Sequence, residues 1–257
     1  MNDRRREAEL ALALGWLTRL PVRFPVSAQG TRLAGALWAF PLAGVVVGAV
    51  GAAAFVAGHC LGANPLLAAV LAIGAMTLAT GALHEDGAAD FFDGLGARGG
   101  RKARLAAMRD SRTGVYGVVA LILLLALRIA AMAGFSSIEA LAAIPAAAAL
   151  SRAAMGWIML TGAPARSDGA GHSAGEAAEG GMLAAAGLAG AVLLFAALVA
   201  PIGLAGIVLA PLVALAVAET VTRKAARAFG GYTGDVLGAG CVLAEAALLV
   251  LFALLLA

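Results

Sequence analysis

The chain has 257 residues, of which 62% are hydrophobic and only 13% are charged, and its mean hydropathy is +0.96. Soluble domains carry charge on roughly 25% of their residues, so a soluble fold of this size could not bury so much apolar surface. The composition excludes a soluble enzyme, a disordered chain and an ordinary nucleic-acid-binding protein. It indicates a membrane protein with several spans, in which 34 glycines and many alanines favour close helix packing.

Seven apolar stretches approach the roughly 20 residues that a helix needs to cross a bilayer. They cover about residues 33–57, 65–83, 114–134, 138–160, 182–200, 202–218 and 236–257. Because only Ala200 and Pro201 separate the fifth stretch from the sixth, these two form either a hairpin or one broken helix. The shorter segment 8–20 has an apolar face that begins at Leu10 and ends beside Arg19, which predicts an interfacial helix.

The distribution of basic residues supports this number of spans. Sixteen of the 18 Lys and Arg residues precede the first span or follow the second, fourth and sixth, and the loops of the opposite side contain none. The positive-inside rule places the basic side in the cytoplasm. We therefore predict an all-α, polytopic transmembrane helix bundle of about seven spans plus an N-terminal interfacial helix, built as a single domain over residues 1–257.

The other two arginines lie inside predicted spans, where charge is costly and usually faces a cavity or a partner. We expect Arg152 to reach a ligand from the cytoplasmic end of the fourth span, and Arg128 to extend toward the outer interface. Glu245 lies inside the last span, where it either pairs with an arginine or lies near an interface. The pattern Gly44-Val-Val-Val-Gly48 predicts a helix contact face.

The strongest chemical signal is the acidic stretch His84-Glu-Asp86-Gly-Ala-Ala-Asp90-Phe-Phe-Asp93, which is expected to continue the second span into the cytoplasmic interface. On a helix at 100° per residue, the three aspartates fall within about 60° on one face, and His84 lies about 160° from Asp86. Like charges this close repel one another, and a cation relieves the repulsion. Oxygen ligands in this number suit Mg²⁺, or alternatively Mn²⁺, which bind carboxylates together with substrate phosphates.

The alternative interpretation of this stretch is a solvated acidic cap on a helix end. Such a cap suits a helix N-terminus, where negative charge meets the positive end of the helix dipole. Here the acids are expected at the C-terminal end of the second span, where they oppose the dipole. We therefore favour a metal site formed by Asp86, Asp90 and Asp93.

A basic loop follows and ends in Met108-Arg-Asp-Ser-Arg-Thr-Gly114. This loop either only sets the membrane topology or also clamps a polyphosphate. The second role is indicated by its combination of forked donors, an acid and a hydroxyl just before a helix start. The spacing of a Walker A loop is absent. Beside an acidic face the second interpretation gains weight, since phosphoryl transfer needs a metal and arginines together. The candidate substrate-binding residues of this loop are Arg109, Asp110, Ser111 and Arg112.

A further polar group opens the last predicted span, at Thr233-Gly234-Asp235. Thr233 or Asp235 is either the N-cap of that helix or a metal or nucleotide contact brought in from a distant helix. The polar, Gly-rich loop 162–181 is either a lid over the site or a flexible connector. No nucleophilic Ser or Cys with a nearby His is evident, which predicts direct displacement without a covalent intermediate.

Taken together, these motifs resemble those of the cobalamin synthase family, the adenosylcobinamide-GDP ribazoletransferases. The matching residues are His84-x-Asp86-Gly-x-Ala-Asp90-x-x-Asp93-Gly94, Met108-x-Asp110-Ser111-Arg112-x-Gly114, Ser151-Arg152 and Gly231-x-Thr233-Gly234-Asp235-x-Leu237-Gly238-Ala239. They occur in the order of the family across most of the chain, and the stretches Phe24-Pro25 and Phe40-Pro41-Leu-x-Gly44 also look like it. The pair Phe91-Phe92 departs from the family pattern, which bears on local fit more than on chemistry.

The resemblance implies a multi-pass enzyme of the cell inner membrane whose Mg²⁺-dependent site faces the cytoplasm. Such an enzyme joins adenosylcobinamide-GDP to α-ribazole or its 5′-phosphate and releases GMP, in the last assembly stage of adenosylcobalamin. The composition predicts no nucleic-acid partner, and the sequence leaves a homo-oligomer open.

The expected roles divide between the two halves of the site. A carboxylate or His84 is expected to orient the attacking hydroxyl as a base. The residues expected to hold Mg²⁺ are Asp86, Asp90, Asp93 and Asp235. The residues expected to bind substrate are Arg109, Asp110, Ser111, Arg112, Arg152, Thr233 and Gly234.

Two other functions are compatible with the sequence. The motifs are loosely similar to those of CDP-alcohol phosphotransferases of phospholipid synthesis, although the DGxxAR spacing of those enzymes is not followed here. An ion-coupled transporter needs acids near mid-membrane, whereas the aspartates are expected at the cytoplasmic rim. GMP release, CDP-diacylglycerol consumption and ion flux in liposomes distinguish the three.

Overall fold

The computed structural model describes residues 2–23, 32–166, 175 and 177–257. Over these ranges the chain forms α-helices, one 3₁₀ helix at Leu33–Ala39 and an isolated backbone bridge, with no strands, as the all-α prediction requires. The helices are α1 (Asn2–Leu17), α2 (Phe40–Cys60), α3 (Pro65–Thr80), α4 (Leu83–Gly96), α5 (Arg101–Ala107), α6 (Val115–Met132), α7 (Ser137–Thr161), α8 (Glu179–Val199), α9 (Gly203–Phe229) and α10 (Gly234–Leu256).

Six segments of the described chain are long and apolar enough to cross a membrane, and α3 with α4 would make a seventh. The six are the unit Leu33–Cys60 and helices α6, α7, α8, α9 and α10. This confirms a multi-pass membrane protein with about seven spans. The two stretches whose connection was uncertain are separate helices, and α9 continues to Phe229, well past the predicted end at 218.

The N-terminal segment is helical, as predicted, but α1 begins at Asn2 rather than near residue 8. It packs against the 3₁₀ helix and α2, and Ala13 and Leu17 are buried in that contact. The buried Glu9 and the half-buried Trp38 join the two elements, since the indole Nε1 donates to Glu9 Oε2 at 2.8 Å. The side of α1 that faces the bundle is therefore fixed by packing as well as by one polar contact.

The largest departure from the predicted spans is a sharp break after α3. Gly81 and Ala82 both adopt the left-handed conformation, with φ of 64° and 59°, and α4 leaves at 89° to α3. Left-handed residues end a helix, because the chain can no longer continue the regular hydrogen-bond ladder. The prediction that the acidic stretch continues the second span is therefore wrong: Glu85 and Asp86 lie in the first turn of a new helix, where the dipole favours negative charge.

Helix α7 is the most buried span and packs against α2, α8, α9 and α10. Its contact with α2 depends on Gly44 and Gly48, which confirms the predicted contact face. A Cβ atom on Gly44 would lie 2.3 Å from the carbonyl oxygen of Ala148, and one on Gly48 would lie 2.5 Å from Pro145 Cα. The two backbones are thus in direct contact, which only small residues permit.

Replacement of Gly48 by alanine tests this contact. The added methyl group meets the α7 backbone, so Gly48→Ala should lower the free energy of unfolding by about 1–3 kcal/mol. Gly190 on α8 is the matched control, because nothing lies within 4 Å of a Cβ built there. Gly190→Ala should leave stability unchanged or raise it by up to about 1 kcal/mol, since alanine favours helix. Unfolding of both variants in detergent measures the difference, and equal midpoints would contradict the close contact.

Candidate active site

Four carboxylates lie around the point where α4 crosses the beginning of α10. The backbones touch there, since a Cβ on Gly87 would lie 2.9 Å from the carbonyl oxygen of Asp235. Asp86, Asp93 and Asp235 are all near enough to Asp90 for their negative charges to act on its carboxyl group. Asp86 is exposed and the other three are half-buried. The structure therefore brings Asp235, from a distant part of the sequence, to the aspartates of α4.

Asp93 differs from the other three aspartates because its oxygens already have backbone partners. Its carboxylate accepts hydrogen bonds from the N–H groups of Gly114, at 2.6 Å, and Gly117, at 2.9 Å. These groups belong to the start of α6, whose own N-cap residue, Gly114, has no side chain to offer. Asp93 thus caps α6 from a neighbouring helix and satisfies two of its free N–H groups.

Thr233 begins α10 as its N-cap, which agrees with one of the two alternatives predicted for this segment. Its hydroxyl oxygen accepts from the N–H of Val236 at 3.3 Å, and the hydroxyl donates to Asp235 Oδ2 at 3.1 Å. The cap and the carboxylate are therefore coupled: the residue that starts the helix also orients Asp235. Gly234 lies between them and is half-buried.

The segment after α7 is held against the start of α10 by backbone hydrogen bonds. Tyr232 N–H donates to Ala163 O, and Ala165 N–H donates to Tyr232 O, both at 2.8 Å. The side chain of Arg101, on α5, donates to Ala165 O at 2.6 Å. These bonds fix the position of the next residue, Arg166, relative to the carboxylates.

Arg166 and Arg109 are the cations that act on the aspartates. The charge of Arg166 acts on both Asp90 and Asp235, and that of Arg109 acts on Asp235. Arg166 is half-buried and donates to the carbonyl oxygen of Leu105 at 3.0 Å. Its sequence context did not mark it as a site residue, because it stands in the loop interpreted as a lid or a connector. Part of that loop, including Asp168, His172 and Glu176, lies outside the described residues, as do Phe24 and Pro25.

The remaining residues of the predicted basic clamp form an exposed pair. The Arg112 guanidinium donates to both oxygens of Asp110, at 3.1 and 3.0 Å, and lowers the pKa of that carboxyl group to about 2. Ser111 is exposed between them. Of the four candidates in this loop, Arg109 therefore acts on a carboxylate of the site, and Arg112 is held by Asp110.

A buried group of charges lies behind the carboxylate face. Arg128 donates to Glu85 Oε1 at 2.8 Å and to Glu245 Oε1 at 2.5 Å, and Arg152 donates to the other oxygen of Glu245. All four are buried. The prediction that Arg128 extends toward the outer interface is wrong, because two carboxylates on α4 and α10 neutralise it inside the bundle. The pairing of Glu245 with an arginine was one of the predicted alternatives and is confirmed.

His84 and Arg152 belong to this buried group and not to the exposed carboxylate face. The His84 ring is 2% exposed, and neither ring nitrogen has a hydrogen-bond partner among the described residues. Arg152 is equally buried and is occupied by Glu245. Neither side chain is therefore placed to contact a substrate that binds at Asp86 and Asp90.

The carboxylates suit a divalent cation that binds together with a substrate. Within the described ranges, no three acidic, histidine or cysteine side chains converge closely enough to hold a metal ion unaided. Mg²⁺ commonly takes only one or two carboxylates and completes its shell with water and substrate phosphates. Carboxylate oxygens that repel one another, as those of Asp86, Asp90 and Asp235 do, fit that manner of binding.

The fold and this site together define a multi-pass membrane protein in which carboxylates from two helices meet arginines from two loops. Comparison with known sequences gives the family: the chain belongs to the cobalamin-5-phosphate synthase family, whose model matches residues 9–253. The chain is accordingly an enzyme, a transferase of cobalamin assembly, as the resemblance implied.

Curated relatives extend the match over nearly the whole chain. Three of them, each named adenosylcobinamide-GDP ribazoletransferase, come from Bradyrhizobium diazoefficiens, Rhizobium johnstonii and Azorhizobium caulinodans. The first is 42% identical over 233 residues, which is 90% of this chain and 88% of the relative. The second is 40% identical over 254 residues, 94% of each chain, and the third 40% over 257 residues, 97% and 96% of the two. No solved structure matches the chain.

Replacement of Glu245 tests the buried charges. Of the described carboxylates that pair with the two buried arginines, Glu245→Gln leaves only Glu85, so it should lower the free energy of unfolding by about 3–5 kcal/mol. Glu219 on α9, partly exposed and paired with Arg223 at 2.6 Å, is the matched control. Glu219→Gln should cost less than about 1 kcal/mol. Unfolding in detergent compares the two, and similar small losses would mean that the buried group contributes little.

Proposed function

We propose that this chain joins adenosylcobinamide-GDP to α-ribazole or its 5′-phosphate and releases GMP, in a Mg²⁺-dependent reaction at the cytoplasmic face of the inner membrane. The observation that supports this most directly is the meeting of Asp90 and Asp235 with Arg166 and Arg109 at one end of the helix bundle. The names of the relatives favour this reaction over the other phosphate transfers that such a site could perform.

The reaction transfers a substituted phosphate from one oxygen to another. A ribose hydroxyl oxygen of α-ribazole forms a bond to the phosphorus that is attached to cobinamide. The bond from that phosphorus to the oxygen bridging the two phosphates breaks, and GMP leaves with this oxygen and the bonding electrons. The hydroxyl proton passes to a base. The atoms balance without an oxidant, a reductant or a covalent enzyme intermediate.

The arginines and the carboxylates have complementary roles in this proposal. Arg166 and Arg109 bind phosphate oxygens and offset negative charge that grows as GMP departs. Asp90 and Asp235, with Asp86 beside them, would hold Mg²⁺ against the two phosphates. When bound, Mg²⁺ supplies further positive charge at the departing phosphate.

A carboxylate is a better candidate for the base than His84. Asp86 is exposed on the face that a substrate can reach, whereas the His84 ring is buried among charged side chains. A base must come within hydrogen-bond reach of the proton that it accepts. We therefore assign the proton to one of the α4 carboxylates, with Asp86 the most accessible, and assign no contact with substrate to His84.

The orientation in the membrane follows from the basic residues around the site. Arg109, Arg112 and Arg166 are near the carboxylates in the chain or in space, and Arg223, Lys224 and Arg227 lie in the last turns of α9. Basic residues accumulate on the cytoplasmic side of inner-membrane proteins. This favours a site that receives its substrates from the cytoplasm.

Replacement of Asp90 tests the proposed chemistry. Asp90→Asn keeps the size of the side chain and removes one negative charge, so kcat should fall about 100-fold or more at saturating Mg²⁺. The assay incubates the purified protein with adenosylcobinamide-GDP, α-ribazole and Mg²⁺ and follows GMP. Glu219→Gln, a carboxylate change on α9 outside the site, should leave turnover unchanged.

Two results would refute the proposal. Near-normal turnover of Asp90→Asn would exclude the metal role of that carboxylate. Absence of GMP from the wild-type protein under these conditions, with consumption of CDP-diacylglycerol instead, would show that the enzyme transfers a different group.

A further inference from the structure

A groove of about 690 Å³ lies between α6 and α9, with α10 behind it and α4 at one end. Ligand sites in proteins are commonly of this size. Its lining is apolar except for Thr220 and Lys224, which both belong to α9. None of these residues belongs to the carboxylate site, so the groove requires a separate explanation.

The groove has the length and the surroundings of a lipid chain in one leaflet. It extends along α9 from Val213 to Lys224, which at 1.5 Å per residue is about 16 Å. Half of a hydrocarbon core that is roughly 30 Å thick is about the same distance. Leu127 on the α6 side is 50% exposed and Ala216 on α9 is also exposed, so the groove is open toward the lipid that surrounds a spanning bundle.

The polar end of the groove carries one positive charge. Lys224 is exposed and has no ion pair or hydrogen bond with any described residue, whereas its neighbour Arg223 is paired with Glu219. A lysine at the rim of an apolar groove attracts an anionic headgroup, because basic residues near the membrane surface bind anionic lipids. The apolar length and the charged end thus fit the two parts of the same ligand.

The groove also touches the helix that bears the aspartates. Phe91 and Phe92 follow Asp90 on α4 and line its end, and Phe91 meets Phe229 of α9 edge-to-face, with ring centroids 5.8 Å apart. On a helix at 100° per residue, Phe91 and Leu95 lie within about 20° of the buried His84 and about 100° or more from Asp90. A ligand in the groove would therefore pack against the face of α4 that carries His84, away from the aspartates.

We propose that this groove binds an acyl chain of an anionic phospholipid, with the Lys224 ammonium group holding the headgroup phosphate. The site is distinct from the proposed transfer site and is independent of the reaction performed there. Its occupancy would support α4 and hence the position of Asp90.

Lipid retention by two charge variants tests the headgroup contact. The full-length protein is equilibrated with a mixture of phosphatidylglycerol and phosphatidylcholine in detergent, and the lipids that remain bound are counted by native mass spectrometry. The wild type should retain phosphatidylglycerol preferentially, and Lys224→Gln should reduce that retention about fivefold without changing phosphatidylcholine. Arg223→Gln, the adjacent basic residue outside the groove, should have little effect. Equal retention of both lipids by the wild type, or no effect of Lys224→Gln, would overturn the proposal.

A tryptophan placed in the groove tests the site of the acyl chain. Ala216→Trp should fill the groove and lower the number of retained lipids, whereas Ala205→Trp, at another exposed alanine of α9, should not. Unchanged lipid retention by Ala216→Trp would overturn the proposal. Unchanged lipid retention together with an altered oligomeric state would show that a second copy of the chain covers the groove. Unchanged lipid retention together with a raised KM for α-ribazole would show that the groove takes substrate. Should Ala216→Trp fail to fold, Lys224→Gln still decides the question, because its side chain is exposed.

Discussion

The crossing of α4 over the first turns of α10 is the contact on which the site depends. Gly87 lies directly on the backbone of Asp235, so the helices approach closely enough for their carboxylates to share one region of space. Two features hold α4 in this position. The left-handed residues Gly81 and Ala82 turn it away from α3, and Glu85 in its first turn pairs with Arg128 inside the bundle. The acidic helix is thus fixed by a backbone break and by a buried ion pair, and the site charges project from its other side.

The two groups of charges to which α4 contributes differ in their net charge. The buried group contains two arginines and two glutamates, so it is neutral overall, which is how charge is tolerated inside a membrane protein. The set of four aspartates has an excess of negative charge, and this charge by itself destabilises a compact fold. Arginines from two loops offset part of that charge. The remaining excess is what would make the site receptive to a cation and a phosphate-bearing substrate together.

Much of this arrangement is predictable from the amino-acid sequence. The apolar stretches predicted most ends of the spans to within a few residues, because a segment that is buried in lipid has a long and continuous run of apolar residues. The helical spacing of Asp86, Asp90 and Asp93 placed them on one face, and one of the two interpretations of the motif at Thr233–Asp235 brought it to them from a distant helix. Both predictions depend on local patterns that a single segment contains.

The features that escaped prediction depend on contacts between distant segments. Gly81 is a residue type that commonly ends a helix, but nothing marks Ala82 as a second left-handed residue, since alanine favours helix. The capping of α6 by Asp93 and the neutralisation of Arg128 each join residues from different helices. Arg166 reaches the aspartates only because its segment is hydrogen-bonded beside Tyr232. An isolated arginine in a Gly-rich loop gives no pattern that would have distinguished it from a connector residue.

The most direct test of the account is the binding of Mn²⁺, a spectroscopic substitute for Mg²⁺, measured by electron paramagnetic resonance with GDP as the diphosphate probe. The carboxylates of α4 and α10 should hold the ion weakly alone and at least tenfold more tightly when GDP is present, because two carboxylates leave most of its coordination shell to phosphate and water. Both Asp90→Asn and Asp235→Asn should abolish that gain. Binding that is the same in the wild type and in both variants would show that these carboxylates do not form the metal site.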